Sequence, residues 1–119
     1  MLSAICAIRS AYELRNPELR EKVIVSAHKA LLGAITEHLR AVVVDFNKKR
    51  LTMYAYFDLG SVEEEHELLD AALTEMAADL WQEIEEWYFE ASIVPFPTEF
   101  DAKQLTLFLR YEKIGTSKH

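Results

Sequence analysis

The chain has 119 residues, half of them apolar, and a formal net charge of −7 at pH 7, which indicates one globular domain rather than a disordered chain. The negative charge argues against DNA or RNA as the main partner, because phosphate binding requires an excess of Lys and Arg. One cysteine, Cys6, rules out an internal disulfide and suits a reducing cytosol. The apolar residues 1–8 have no preceding positive region and end at Arg9, so we predict a cytoplasmic protein without a signal peptide or a membrane span.

Two helices are predicted within residues 1–34. In residues 3–15, Ile5, Ile8 and Tyr12 recur at helical spacing. The second helix is predicted to begin at Pro17, because Asn16 is a good N-cap and proline suits the first helical position. The sequence leaves open whether the two form one kinked helix.

A β-hairpin is predicted at residues 38–58. The run 41–46 is apolar and β-branched, residues 47–50 form a polar turn, and residues 51–57 alternate in polarity. Four side chains of the second strand should share one face: Leu51, Met53, Ala55 and Phe57.

The clearest helix is predicted at residues 61–79. Ser61 and Glu64 have the spacing of a capping box at its start. A stripe of apolar residues from Val62 to Leu80 follows at helical spacing, and carboxylates occupy the other side. We therefore expect one face of this helix in the core and one strongly anionic face in water.

Two strands are predicted within residues 84–112, separated by a rigid turn at 95–97 and followed by a polar tail at 113–119. The predicted fold is a single α+β domain of order α-α-β-β-α-β-β, with helices packed on an antiparallel sheet.

Charge is distributed unevenly along the chain. Residues 58–101 contain fourteen carboxylates and no Lys or Arg, whereas residues 1–50 contain nine basic residues and five acidic ones. Such a split favours a basic protein partner, since complementary potentials accelerate encounter; the alternative is a solvated face that maintains solubility. The predicted partner-binding residues are seven carboxylates and one aromatic anchor: Glu63, Glu64, Glu67, Asp70, Glu75, Glu83, Glu85 and Trp87.

No catalytic motif, cofactor site or metal site is predicted. His66 lies three and four residues from Glu63 and Asp70, so the three side chains could share a divalent ion. We favour a half-buried, hydrogen-bonded histidine at this position, because His66 also falls on the apolar stripe. The basic cluster at residues 48–50 is small and lies in the predicted hairpin turn, which makes a nucleic-acid site a minor alternative.

Several short segments resemble small bacterial immunity proteins of contact-dependent growth inhibition and colicin-type toxin systems. They are ALLG (30–33), IT (35–36), LRAV (39–42), YFD (56–58), SVEEE (61–65) and TEMAAD (74–79). The resemblance covers residues 30–112 and implies a non-catalytic cytosolic inhibitor that binds a toxin domain, often a basic nuclease, and blocks or distorts its active site. It assigns no site residues.

A second hypothesis is an interaction module or a self-associating structural subunit, with a homodimer as one form. Its contact surface would be the exposed side of the sheet, formed by Tyr54, Tyr56 and Trp87 or by the faces opposite them.

Overall fold

The computed structural model describes residues 14–100 and 103–112. Its elements are α1 (Pro17–Ala30), β1 (Leu39–Asn47), β2 (Arg50–Phe57), α2 (Glu63–Asp79), β3 (Glu86–Ile93) and β4 (Leu105–Leu109). The α+β class is confirmed, and the order agrees with the predicted one from the second helix onward. Most of the helix predicted at residues 3–15, together with Cys6 and the tail 113–119, lies outside the described residues.

The four strands form one sheet in the order β3-β2-β1-β4. Strand β1 pairs antiparallel with both β2 and β4, which confirms the hairpin. Strand β3 pairs parallel with β2, so the prediction of an antiparallel sheet was wrong for this pair. The reason is the connection: α2 carries the chain back to the end of the sheet where β2 begins, as a parallel crossover requires.

Helix α1 begins as its sequence predicts. The side-chain oxygen of Asn16 accepts hydrogen bonds from the backbone N–H groups of Glu18 and Leu19, at 3.0 and 3.5 Å. These bonds satisfy two of the donors that every helix leaves unpaired at its start.

The hairpin turn is formed by Lys48 and Lys49, which both have positive φ, 52° and 63°. Left-handed backbone at both central residues is the geometry of a type I′ turn, which matches the twist of the two strands. The carbonyl oxygen of Lys49 also accepts a hydrogen bond from the N–H of Glu85, at 2.7 Å. The turn thereby holds the segment that leads into β3.

Both helices cover the same face of the sheet, and the main core lies between them and that face. All four predicted side chains of β2 are fully buried there: Leu51, Met53, Ala55 and Phe57. Helix α2 adds a row of buried apolar side chains: Leu69, Ala72, Leu73, Met76 and Ala77. The apolar stripes predicted from the sequence therefore meet in one core.

The opposite face of the sheet is covered by the segment after β3. The ring of Tyr56 is stacked on that of Phe100 with centroids 4.8 Å apart, and Tyr56 is buried. The ammonium of Lys103 lies over the ring of Tyr54, 4.4 Å from its centroid. These contacts cover part of the sheet face that carries Tyr54 and Tyr56, whereas Trp87 on the other face is exposed.

A buried arginine holds this covering segment in place. Arg40 is 2% exposed, and its guanidinium donates to both carboxylate oxygens of Glu112, at 2.7 and 2.9 Å. It also donates to the carbonyl oxygens of Val94 and Thr98, both at 2.7 Å. The Arg40 side chain thus joins the segment after β3 to the segment after β4.

Candidate functional site

The exposed side of α2 carries five carboxylates, which we call the acidic face: Glu63, Glu64, Glu67, Asp70 and Glu75. All five are exposed. At 100° per residue they fall within one sector of the helix, opposite the buried apolar row. Within residues 14–100 and 103–112, none of the five forms an ion pair. Their negative charge is therefore not neutralised by ion pairs with the basic side chains of these residues.

A sixth carboxylate, Glu65, points inward and fixes the start of α2. Its Oε1 accepts from the hydroxyl of Thr36 at 2.6 Å, and its Oε2 lies 2.9 Å from Nδ1 of His38. Oε2 also accepts from the backbone N–H of Val62 at 3.1 Å. Burial raises the pKa of Glu65, but the hydrogen bonds from Thr36, Val62 and His38 outweigh burial and leave it below its usual range. The anionic form of Glu65 thus anchors α2 to the segment before β1.

These contacts correct the predicted capping box. The helix begins at Glu63 with Val62 as the N-cap residue, so Glu65 rather than Glu64 reaches back to the cap. The hydroxyl of Ser61 instead lies 3.0 Å from Nε2 of His66. Because the N-cap is Val62, one residue later than the predicted Ser61, Glu64 is left exposed on the acidic face.

Four other carboxylates, Asp79, Glu83, Glu85 and Glu86, are paired with basic side chains from the first half of the chain. Lys29 pairs with Asp79 at 3.2 Å, Lys22 with Glu83 at 2.7 Å, Lys49 with Glu85 at 3.9 Å and Arg50 with Glu86 at 3.6 Å. The hydroxyl of Ser26 also donates to Asp79, at 3.0 Å. The hydrogen bonds from Ser26 and Lys29 lower the pKa of Asp79. Two predicted partner-binding residues, Glu83 and Glu85, are consequently placed in intramolecular ion pairs.

Two tryptophans lie close together where α2 leads into β3. Trp81 is 70% exposed and Trp87 is 46% exposed. They line a shallow groove of about 300 Å³, which we call the tryptophan groove. The residues that line it are Thr74, Ala77, Ala78, Trp81, Ile84 and Trp87. Of this pair the predicted site contained Trp87 alone, because the sequence does not show that the turn after α2 brings Trp81 beside it.

On a helical wheel, the acidic face and the tryptophan groove adjoin along α2. Thr74, which lines the groove, lies in the same sector of the helix as Glu63, Glu67 and Asp70. It follows Asp70 by one helical turn. A partner that covers the acidic face would therefore also meet exposed aromatic surface. Anionic residues around exposed tryptophan are a typical composition for a binding site facing a basic protein.

His66 lies between the core and the acidic face. Its ring packs on Phe57 with centroids 4.3 Å apart, and its Nε2 is held by Ser61. This is the half-buried, hydrogen-bonded histidine that we favoured, although its partner is a hydroxyl. No cluster of three His, Cys, Asp or Glu side chains in the described part of the chain has a geometry that would hold a metal ion.

Neither described helix is long and apolar enough to cross a bilayer.

The chain matches a known protein family. The model of the family described as "MafI2 immunity protein" matches residues 20–112. The matched range contains α2, β3 and the whole sheet, and therefore both the acidic face and the tryptophan groove. A search among curated proteins gives no match.

Proposed function

We start from the fact that the chain belongs to the MafI2 immunity protein family, and we propose that it binds and neutralises a basic toxin domain in the cytoplasm through its acidic face. A nuclease is the class of toxin that fits best. An enzyme that acts on nucleic acid presents positive charge to the phosphate backbone, and a dense group of carboxylates competes for that same surface.

One observation supports this proposal more than any other. The five carboxylates of the acidic face lack ion pairs among the described residues, whereas four carboxylates further along the chain have them. A surface that served only to keep the protein soluble commonly mixes charges of both signs, whereas α2 contains no Lys or Arg. Uncompensated charge on a rigid helix is available to a partner without first breaking an intramolecular contact.

The electrostatics of such a face act mainly on the rate of encounter. Long-range attraction raises association rates by orders of magnitude at low salt, while desolvated anchors set the dissociation rate. Immunity requires the toxin to be captured before it damages the cell. The acidic face fits the first task, and Trp81 and Trp87 fit the second.

Co-expression of the chain with its cognate toxin domain tests the proposal. The wild-type chain should restore growth, and the double variant Glu67→Lys/Asp70→Lys should lose most of this protection. The matched control is Glu21→Lys/Glu99→Lys, which changes the net charge equally at two exposed positions outside the acidic face. Protection by the Glu67→Lys/Asp70→Lys variant equal to that of the control would refute the role of the acidic face. Failure of the wild-type chain to protect would refute inhibition itself.

A further inference from the structure

Strand β3 is eight residues long and lies at one edge of the sheet. Within residues 14–100 and 103–112 it pairs with β2 on one side, and no strand pairs with its other side. An edge strand of this length presents a row of backbone N–H and C=O groups to which another strand can bind.

The hydrogen bonds identify which groups of β3 face outward. The N–H groups of Glu86 and Val94 donate to the carbonyl oxygens of Lys49 and Phe57, at 3.3 and 2.8 Å. Because backbone groups alternate in direction along a strand, the even-numbered residues between them also point toward β2. Four residues therefore direct their N–H and C=O groups away from the sheet: Trp87, Phe89, Ala91 and Ile93.

The tryptophan groove lies beside this free edge. The register with β2 pairs Trp87 with Leu51, so both side chains lie on the helix-covered face of the sheet. An added strand would place every second side chain on that same face. Of these side chains, the one beside Trp87 would enter the groove between Trp81 and Trp87. An apolar residue is favoured at that position of the added strand.

The charges of β3 distinguish between two occupants of the edge. The strand carries Glu86 and Glu90 and no basic residue. Glu86 already pairs with Arg50 at 3.6 Å, whereas Glu90 has no ion pair among the described residues. A second copy paired antiparallel about Glu90 would bring the two Glu90 side chains opposite each other, and like charges directly opposite are destabilising. Pairing about Phe89 would avoid that contact. A strand with Lys or Arg opposite Glu90 would be attracted instead. Charge thus disfavours some registers of self-pairing, and it favours a basic segment on this edge.

We propose that β3 binds an extended basic segment of the toxin domain as a fifth strand of the sheet, with an apolar side chain of that segment in the tryptophan groove. This inference rests on the proposed function for the identity of the partner and adds the mode of binding. Main-chain hydrogen bonds would supply affinity, and the groove would supply specificity.

Amide hydrogen exchange, followed residue by residue by NMR, tests the proposal. The probe is the cognate toxin domain, made catalytically inactive by substitution. In the free protein, the amides of Tyr88, Glu90 and Ser92 should already be protected by β2, and the four outward amides should exchange faster. Binding should slow the outward amides of Trp87, Phe89, Ala91 and Ile93 by about tenfold or more. An added strand produces this alternation, whereas contact through side chains alone does not.

The proline variant Ala91→Pro provides a second readout. Proline removes the outward N–H of residue 91 and is tolerated on an edge strand where that N–H faces solvent. The variant should fold and bind the toxin domain roughly tenfold more weakly than the wild type. Wild-type affinity of the folded variant would contradict the added strand.

Each alternative outcome is distinct. A complex in which the four outward amides exchange as in the free protein would overturn the added strand and leave the proposed function intact. Absence of any complex would overturn both. Protection of the outward amides in the isolated protein, increasing with its concentration, would show that a second copy occupies the edge and would also overturn the proposal.

Discussion

Replacement of Arg40 by methionine should destabilise the protein more than any surface change of the same kind. The variant Arg40→Met removes a guanidinium that is 2% exposed and that forms two hydrogen bonds to Glu112 and two to backbone carbonyls. The Glu112 side chain is itself only 11% exposed. The substitution therefore leaves a largely buried carboxylate without its main partner, and removal of one member of a buried ion pair costs about 3–5 kcal/mol.

The surroundings place this loss near the lower end of that range. Arg110 also donates to Glu112, with contacts of 3.0 and 3.2 Å, and would retain part of the compensation. We therefore expect Arg40→Met to lower the free energy of unfolding by about 3 kcal/mol, a large share of the total stability of a small domain. Arg40→Lys keeps the charge but not the planar set of donors and should lose less.

Urea denaturation measures the effect directly, with Arg20→Met as the matched control. Arg20 is exposed on α1, and its replacement should change the free energy of unfolding by no more than about 0.5 kcal/mol. Because Arg40 and Glu112 act as a pair, the double variant Arg40→Met/Glu112→Gln should lose less than the sum of its single variants. Equal stability of Arg40→Met and Arg20→Met would show that the buried arginine does not hold the segment after β3.

Two further changes test the segments that frame the site. The pKa of Asp58 is lowered from 3.8 to about 2, mainly by the hydrogen bond from the backbone N–H of Phe96 and then by the one from Arg110. The ionised Asp58 carboxylate therefore stabilises the fold fully above pH 3.8, and this stabilisation is lost as the pH falls toward 2. Asp58→Asn should therefore flatten the acid limb of the stability curve between these values, and curves that run parallel for variant and wild type would contradict this. In the hairpin turn, Lys48→Asn/Lys49→Gly places residues suited to positive φ at both positions and should raise the free energy of unfolding by about 1 kcal/mol, measured by thermal melting; an unchanged or lower melting temperature would refute it.

The elements that the sequence predicted correctly are those specified by neighbouring residues. Asn16 and Pro17 define the start of α1 within a few residues of chain. The alternation from Leu51 to Phe57 assigns each side chain of β2 to a face. In both cases the local pattern contains all the information that the local structure needs.

The features that the sequence did not reveal depend on residues far apart in the chain. Lys22 and Glu83, which are 61 positions apart, form an ion pair, and Arg40 and Glu112 are 72 positions apart. The pairing of β3 with β2 is another case, because an alternating run does not specify its neighbour or its direction. The distribution of charge along the sequence therefore did not reveal the ion pairs of Glu83 and Glu85, or that Trp81 lies near the exposed carboxylates of α2.

The central claim is that the acidic face attracts the toxin domain. The most direct test is the association rate constant of the two proteins, measured by stopped flow at about 0.1 M salt, where charges more than about 10 Å apart are largely screened. We predict that Glu67→Lys slows association severalfold more than the matched control Glu21→Lys, and that the difference shrinks at 1 M salt while dissociation changes little. Equal association rates for the two variants at 0.1 M salt would contradict the account.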